Sequence, residues 1–348
     1  MMSTLSRGRA IALASSAALF PSIARAASDA VIVSLGGTIS DAPLFIAAEK
    51  GFYKEFGIEP QSIEMFSGAQ MVPSLGTGQL EVGAGAPSAG LYNAVASGIK
   101  VRIVADKGST PPGYGYAPIL VRKALVDAGK VKSFSDFRGL TVAQVARGTA
   151  SLPLLMAGLK KGGLTIKDVK EVFLNFPDHV AALANGAIDA SVTVEPQASA
   201  AIGAGTAVRF ASSDSVYPNQ QLSTILFSQK FCTERRDVAV RYMAAYIKAA
   251  RYYNDALKDG HYAGPTASDV IDIMAAHTAV KDKSLYKTLV PNGVDPNGRV
   301  NMASLAHDLE IFREAGLIQG NVTVEQSVDQ TISADALKLV GPYRPRKA

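Results

Sequence analysis

Arg147-Gly148-Thr149-Ala150-Ser151-Leu152-Pro153 is the stretch whose residue types best suit binding chemistry. It lies between a predicted strand and a predicted helix. Ser151 is a good N-cap and Pro153 suits a first helical turn. A helix start leaves backbone N–H groups unpaired at the positive end of the helix dipole. With the Thr149 and Ser151 hydroxyls, Gly148–Ser151 would form a cradle for an anion, and Arg147 could add a charge-assisted contact. The same residues also suit an ordinary capped helix with a solvated arginine.

A matching turn, Gly36-Gly37-Thr38-Ile39-Ser40-Asp41, follows the first predicted strand. The Asp41 carboxylate would repel an anion, so its expected job is to cap the next helix. Thr38, Ile39 and Ser40 are the contact candidates there. Phe66-Ser67-Gly68-Ala69 is the next turn. Ser88, in Gly85-Ala86-Pro87-Ser88, could cap a helix or donate to a ligand. Glu195 could hold a ligand amine or a water, or form a structural salt bridge. Tyr114, Tyr116, Phe176 and Tyr217 could stack on a planar ligand or fill the core.

Other chemistries lack their residues. Cys232 is the only cysteine, which excludes a disulfide framework and a cysteine-based metal site. The four histidines, His179, His261, His277 and His307, show no H-x-x-x-H spacing. There is no G-x-S-x-G, and Gly36-Gly37 opens neither a dinucleotide nor a P-loop motif. No catalytic residue, metal site or cofactor is expected. Cys232 reads as a small hydrophobe.

The elements that must position these turns alternate. Strands are predicted at 31–35, 58–66, 80–84 and 101–105, with short helices between them. The pattern restarts with strands at 140–146, 169–176, 188–194 and 208–211, and continues to the run Leu222–Phe227. After that the chain is chiefly helical, with helices over 236–257, 267–277, 283–289 and 302–315. Alternation of this kind predicts an α/β fold with parallel sheets covered by helices. Leu75-Gly-Thr-Gly-Gln-Leu-Glu-Val82 echoes Leu183-Ala-Asn-Gly-Ala-Ile-Asp-Ala190, which suggests two similar lobes. A cleft between them would carry ligand turns at the carboxyl ends of the strands.

The chain has 348 residues, 48% hydrophobic and 19% charged, a globular composition sized for about two domains. Arg7 and Arg9, the apolar run Ile11–Phe20 and Ala24-Arg25-Ala26 read as a signal peptide cleaved near Ala26. No later run reaches the ~18 apolar residues of a membrane helix. The whole chain carries 35 basic and 30 acidic residues, or +5. Residues 1–26 hold three of those arginines, which leaves 32 against 30, or +2. That balance gives no argument for a nucleic-acid partner. The expectation is an exported, periplasmic protein.

Ala42-Pro-Leu-Phe-Ile-Ala-Ala-Glu-Lys-Gly-Phe-Tyr-Lys-Glu-Phe-Gly-Ile58 resembles the opening of solute-binding proteins of ABC importers, the nitrate/sulfonate/taurine type, in the thiamine-pyrimidine-synthase-like superfamily. Gly68-Ala69, Gly78-Gln-Leu-Glu-Val-Gly83, Ala96-Ser-Gly98, Val101–Ala105 and Phe134-Ser-Asp-Phe-Arg-Gly-Leu140 follow in the family's order. Where members often carry tryptophan before an acid-proline pair, this chain has Thr193-Val194-Glu195-Pro196 and no tryptophan at all.

The resemblance implies a type II periplasmic-binding-protein fold. Each lobe would be a mainly parallel sheet flanked by helices, with a ligand cleft between them. Lobe one would span 27–116, lobe two 117–220, and 221–348 would return to lobe one. Crossovers are expected near Tyr114–Pro118 and Asn219–Leu222. It also implies a monomer that captures a small organic anion, a carboxylate or sulfonate, and delivers it to an inner-membrane ABC permease. Ser67 and Gly68 sit where that family places polar contacts, and Glu195 could instead face the permease. The competing ligand is a neutral heteroaromatic such as a pyrimidine precursor. An enzyme of the same fold is the alternative class, but the fungal pyrimidine synthases use a cysteine-rich motif absent here.

Overall fold

The computed structural model describes residues 28–346, so the expected signal peptide lies outside the described residues. Two five-stranded sheets organise the chain. The first holds β1 (Asp29–Leu35), β2 (Ile58–Glu64), β3 (Val82–Gly85), β4 (Val101–Ser109) and β10 (Gln221–Ser228), in the order β2-β1-β3-β10-β4. The second holds β5 (Ile119–Arg122), β6 (Thr141–Gln144), β7 (Lys170–Phe173), β8 (Ala190–Val192) and β9 (Ala207–Ala211), in the order β7-β6-β8-β5-β9.

The sheets are mixed, which corrects the mainly parallel expectation. β1 pairs parallel with β2 and β3, and β6 pairs parallel with β7 and β8. Those are the helix-connected units that the alternation predicted. β10 runs antiparallel to β3 and β4, and β5 runs antiparallel to β8 and β9. β5 and β10 are the strands that arrive from the other sheet. No right-handed helical crossover dictates their direction. β5 escaped the sequence reading because Ile-Leu-Val-Arg is only four residues long and follows Pro118.

The internal echo has a structural meaning. The helix Gly68–Thr77 ends at Gly78 with φ 77°, and Phe176–Asn185 ends at Gly186 with φ 80°. Both glycines take the left-handed C-cap conformation, and the chain then enters β3 or β8, the central parallel strand of its sheet. The long helix Arg236–Asn254 buries Tyr242, Met243, Tyr246, Ile247, Ala250 and Tyr253, a stripe at helical spacing. It stops three residues before the predicted end because Leu257–Lys258 pairs with His261–Tyr262 in a hairpin.

Two connections join the lobes, running through residues 110–118 and 212–220, and they are stitched side by side. Asn219 N–H donates to the Thr110 carbonyl at 2.8 Å, and Thr110 N–H donates to the Gln220 carbonyl at 3.1 Å. Gly113 N–H donates to the Asp214 carboxylate at 2.8 Å.

Candidate functional site

Both sheets present a Gly-Thr-x-Ser turn at the carboxyl end of an inner parallel strand. Gly37-Thr38-Ile39-Ser40 follows β1, and Gly148-Thr149-Ala150-Ser151 follows β6. Gly37 and Gly148 take φ of 67° and 64°, which L side chains rarely adopt. The reversal lets the Thr and Ser hydroxyls turn back over the strand ends. In lobe one the two hydroxyls lie 3.1 Å apart, and in lobe two 2.9 Å apart.

The turns face one another because the lobes are closed. Ile39 N–H donates to the Glu195 carbonyl at 2.9 Å, and Ala89 N–H donates to the Gly148 carbonyl at 2.8 Å. Leu152 of lobe two is buried in a cluster with Leu91, Tyr92 and Phe312 of lobe one. Between the lobes lies a cavity of ≈ 50 Å³. Its polar lining comes from Thr38, Ser40, Ser67, Lys107, Tyr116, Thr149, Ser151 and Ser223. Phe66, Val145, Phe176, Val192, Val194 and Leu222 supply the apolar wall.

Five of the expected contact residues, Thr38, Ser40, Ser67, Thr149 and Ser151, line this cavity. Gly148 and Ala150 lie in the lobe-two turn but outside its lining. Ile39, inside the lobe-one turn, is wholly buried in the core and does not line the cavity. Gly68 permits a close approach instead, since a Cβ there would fall 2.0 Å from the Ala86 carbonyl oxygen. Ser88 caps its helix, accepting from Leu91 N–H at 3.2 Å, and bridges to Thr149 at the lobe boundary.

Arg147 is exposed and away from the cavity, with its charge beside Glu171. The Glu195 carboxylate turns away too. It accepts from Arg209 Nη2 at 2.5 Å and from Ser199 N–H at 2.9 Å, while burial pushes its pKa up against the pull of Arg209. Of the four aromatic candidates, Tyr116 and Phe176 line the cavity. Tyr217 instead donates to Asp308 Oδ1 at 2.8 Å, and Tyr114 faces a separate groove.

Lys107 escaped the sequence reading. It sits near the end of β4, past the predicted strand, with its side chain only 2% exposed. Its partner is Asp41, whose side chain is fully buried. The Lys107 ammonium donates to Asp41 Oδ1. Asp41 Oδ2 accepts from Gly36 N–H at 3.2 Å, Thr38 N–H at 2.9 Å and the Thr38 hydroxyl at 3.2 Å. Asp41 therefore closes its own turn backwards, where the sequence suggested it would cap the following helix. Its charge is spent on Lys107 and on the turn. One step back along β4, Asp106 points the other way. It accepts from Gln221 Nε2 at 2.6 Å and Asp295 N–H at 2.7 Å, and burial pushes its pKa up to about 7.

Only one side chain contributes an ammonium to the lining, and no acid, histidine or cysteine is part of it. Among the described residues no group of three or more His, Cys, Asp or Glu could hold a metal ion. No helix among them is long and apolar enough to cross a membrane. The arrangement is a two-lobed cleft with a buried cation on one wall and hydroxyl pairs on both.

The chain matches the NMT1/THI5-like family over residues 39–256, more than half its length, and belongs to that family. A protein of Brucella abortus (strain 2308) described as a binding protein is 26% identical over 264 residues, covering 71% of this chain and 70% of its own. The periplasmic aliphatic sulphonate binding protein SsuA from Escherichia coli has the same fold, with 21% identity, a TM-score of 0.66 and coverage of 87% and 93%. So does the ligand binding component of an ABC-type import system from Staphylococcus aureus, at 12% identity, TM-score 0.73 and coverage of 89% and 99%. The desulfurization enzyme DSZB is a further neighbour, at 17% identity, TM-score 0.61 and coverage of 89% and 99%.

Proposed function

We propose that this protein is the substrate-binding component of an ABC import system. It captures a small organic anion, a carboxylate or sulfonate, in the periplasm and delivers it to the membrane permease. The observation that carries the ligand class is Lys107. A buried ammonium has three N–H donors and is costly to leave unsatisfied. Asp41 takes one of them, and the ammonium lines the cleft. An acidic ligand group would supply the missing acceptors. Phe66, Phe176 and the valines suit the ligand's apolar body.

Closure of the two lobes over the ligand would give the permease a distinct form to recognise. The serine and threonine hydroxyls of the lining have no histidine or acid beside them in it to act as a general base, which favours binding over catalysis. The signal-peptide pattern read in residues 1–26, the family and the fold of the sulphonate-binding neighbour support export and transport. In this reading the protein acts as a monomer, without a nucleic-acid partner.

The test is a thermal-shift screen of ligand-free protein with carboxylates, sulfonates, nitrate, amino acids and pyrimidines. A shift confined to anions, lost in Lys107→Met, supports the reading. At a hundredfold excess over Kd, a ligand stabilises by roughly 2.7 kcal/mol. A shift with pyrimidines alone would replace the anion with a neutral heteroaromatic.

A further inference from the structure

The hydroxyl donors of the lobe-two turn are already used. Gln144 Nε2 donates to Glu171 Oε2 at 2.7 Å, and an ionised carboxylate can only accept, so this contact fixes the orientation of the Gln144 amide. Gln144 Oε1 then faces Ser151 Oγ at 3.0 Å and must receive the Ser151 proton. The Thr149 proton has two acceptors in reach, the Ala146 carbonyl at 3.2 Å and Ser151 Oγ at 2.9 Å, and both belong to lobe two. Thr149 and Ser151 therefore turn oxygen lone pairs, not protons, toward the cavity they line. The expected hydroxyl donors to an anion are hydrogen-bond acceptors in this arrangement.

The cavity is thus polarised. Among the side chains, lobe one offers donors at Lys107, and lobe two offers acceptors at Thr149 and Ser151. A ligand that satisfies both must carry an acidic group and, away from it, a hydrogen-bond donor. An ammonium is poorly suited to the second position. The lining holds no acid, and the Asp41 carboxylate is committed to Lys107 and its own turn, so a buried ligand ammonium would lack a counter-charge. A hydroxyl carries no such penalty.

We propose that the ligand is a short hydroxy acid, a carboxylate or sulfonate with a hydroxyl group that donates to the Thr149–Ser151 pair. This rests on the reading of the cleft as an anion-binding site and narrows it.

The test compares matched probes by isothermal titration on protein unfolded and refolded to remove any carried ligand. Ethanesulfonate, 2-hydroxyethanesulfonate and 2-aminoethanesulfonate form one set. Propionate, 3-hydroxypropionate and 3-aminopropionate form the other. In at least one set the hydroxy compound should bind about tenfold tighter or more than both its companions, because a site built for a hydroxyl leaves its acceptors unpaired without one. Thr149→Val with Ser151→Ala should erase that preference, and Lys107→Met should weaken all acids together. If that double variant fails to fold, the comparison on the unaltered protein decides alone. Equal affinities within both sets, or tighter binding of the amines, overturn the hydroxy-acid inference and leave the anion site standing. No binding by any acid overturns both.

Discussion

The Asp41 carboxylate reaches across 66 residues of sequence to hold the Lys107 ammonium at the wall of the interlobe cavity. Neither residue is accessible to bulk water, so each depends on the other for a counter-charge. Removing one member of such a pair usually costs ~3–5 kcal/mol. The losses should differ here. Lys107→Met leaves Asp41 with Gly36 N–H, Thr38 N–H and the Thr38 hydroxyl. Asp41→Ala strands the ammonium and opens the turn. Urea denaturation should therefore show the larger loss for Asp41→Ala, and the pair has been misread if Lys107→Met is as damaging.

Gly37 and Gly148 share a left-handed backbone but differ in surroundings. A Cβ on Gly37 would meet nothing within 4 Å, whereas on Gly148 it would lie 3.1 Å from the Ala89 Cβ of the other lobe. Each alanine substitution should cost about 1–2 kcal/mol of stability from the backbone alone. Gly148→Ala should in addition weaken ligand binding, because the clash arises only when the lobes close. Titration of both variants with the same ligand checks this, and equal affinities would remove Gly148 from the closing surface.

Leu152 lines no part of the cavity yet is buried against lobe-one residues in the closed form. Truncation to alanine removes apolar burial that is gained when the lobes meet. A buried leucine side chain is worth about 1.5–3 kcal/mol. Leu152→Ala should thus weaken binding roughly tenfold or more and shift small-angle scattering of the liganded protein toward the open form. Unchanged affinity would mean that the contact survives opening.

Stability should depend on pH through three buried groups. Burial pushes the Asp106 and Asp308 carboxyls up to about 7. In the unfolded chain they ionise near 3.9. Between those values the unfolded state has released protons that the folded state keeps, so both groups lower stability as pH rises from about 4 to 7. His179 acts in the opposite sense. Burial lowers it to about 4 from an ordinary 6.5, so its contribution is lost as pH falls from 6.5 toward 4. Melting temperature against pH should have a shallower decline from pH 5 to 7 in Asp106→Asn and in Asp308→Asn than in the unaltered protein. Identical slopes would show that neither carboxyl keeps its proton in that window.

Much of this fold was legible in local sequence. The alternation of short apolar runs with helix starts marked eight of the ten main strands, and the echo around Gly78 and Gly186 marked the two equivalent lobes. The Gly-Thr-x-Ser turns were legible because glycine, hydroxyl and proline at those spacings have local causes. Lys107 was not, since a lysine at the end of a β-strand reads as a solvated edge. Nor were the separate fates of Ser88, Glu195 and Ser151, which share the same local signal of a polar residue after a strand.

The sequence by itself determined the two α/β units and their turns. Only the tertiary structure decided the antiparallel course of β5 and β10, the burial of Lys107 against Asp41 and the partners that each turn hydroxyl meets. The reason is range. Turn and capping preferences are settled within a few residues, whereas a buried charge or a committed proton depends on partners that only folding brings near.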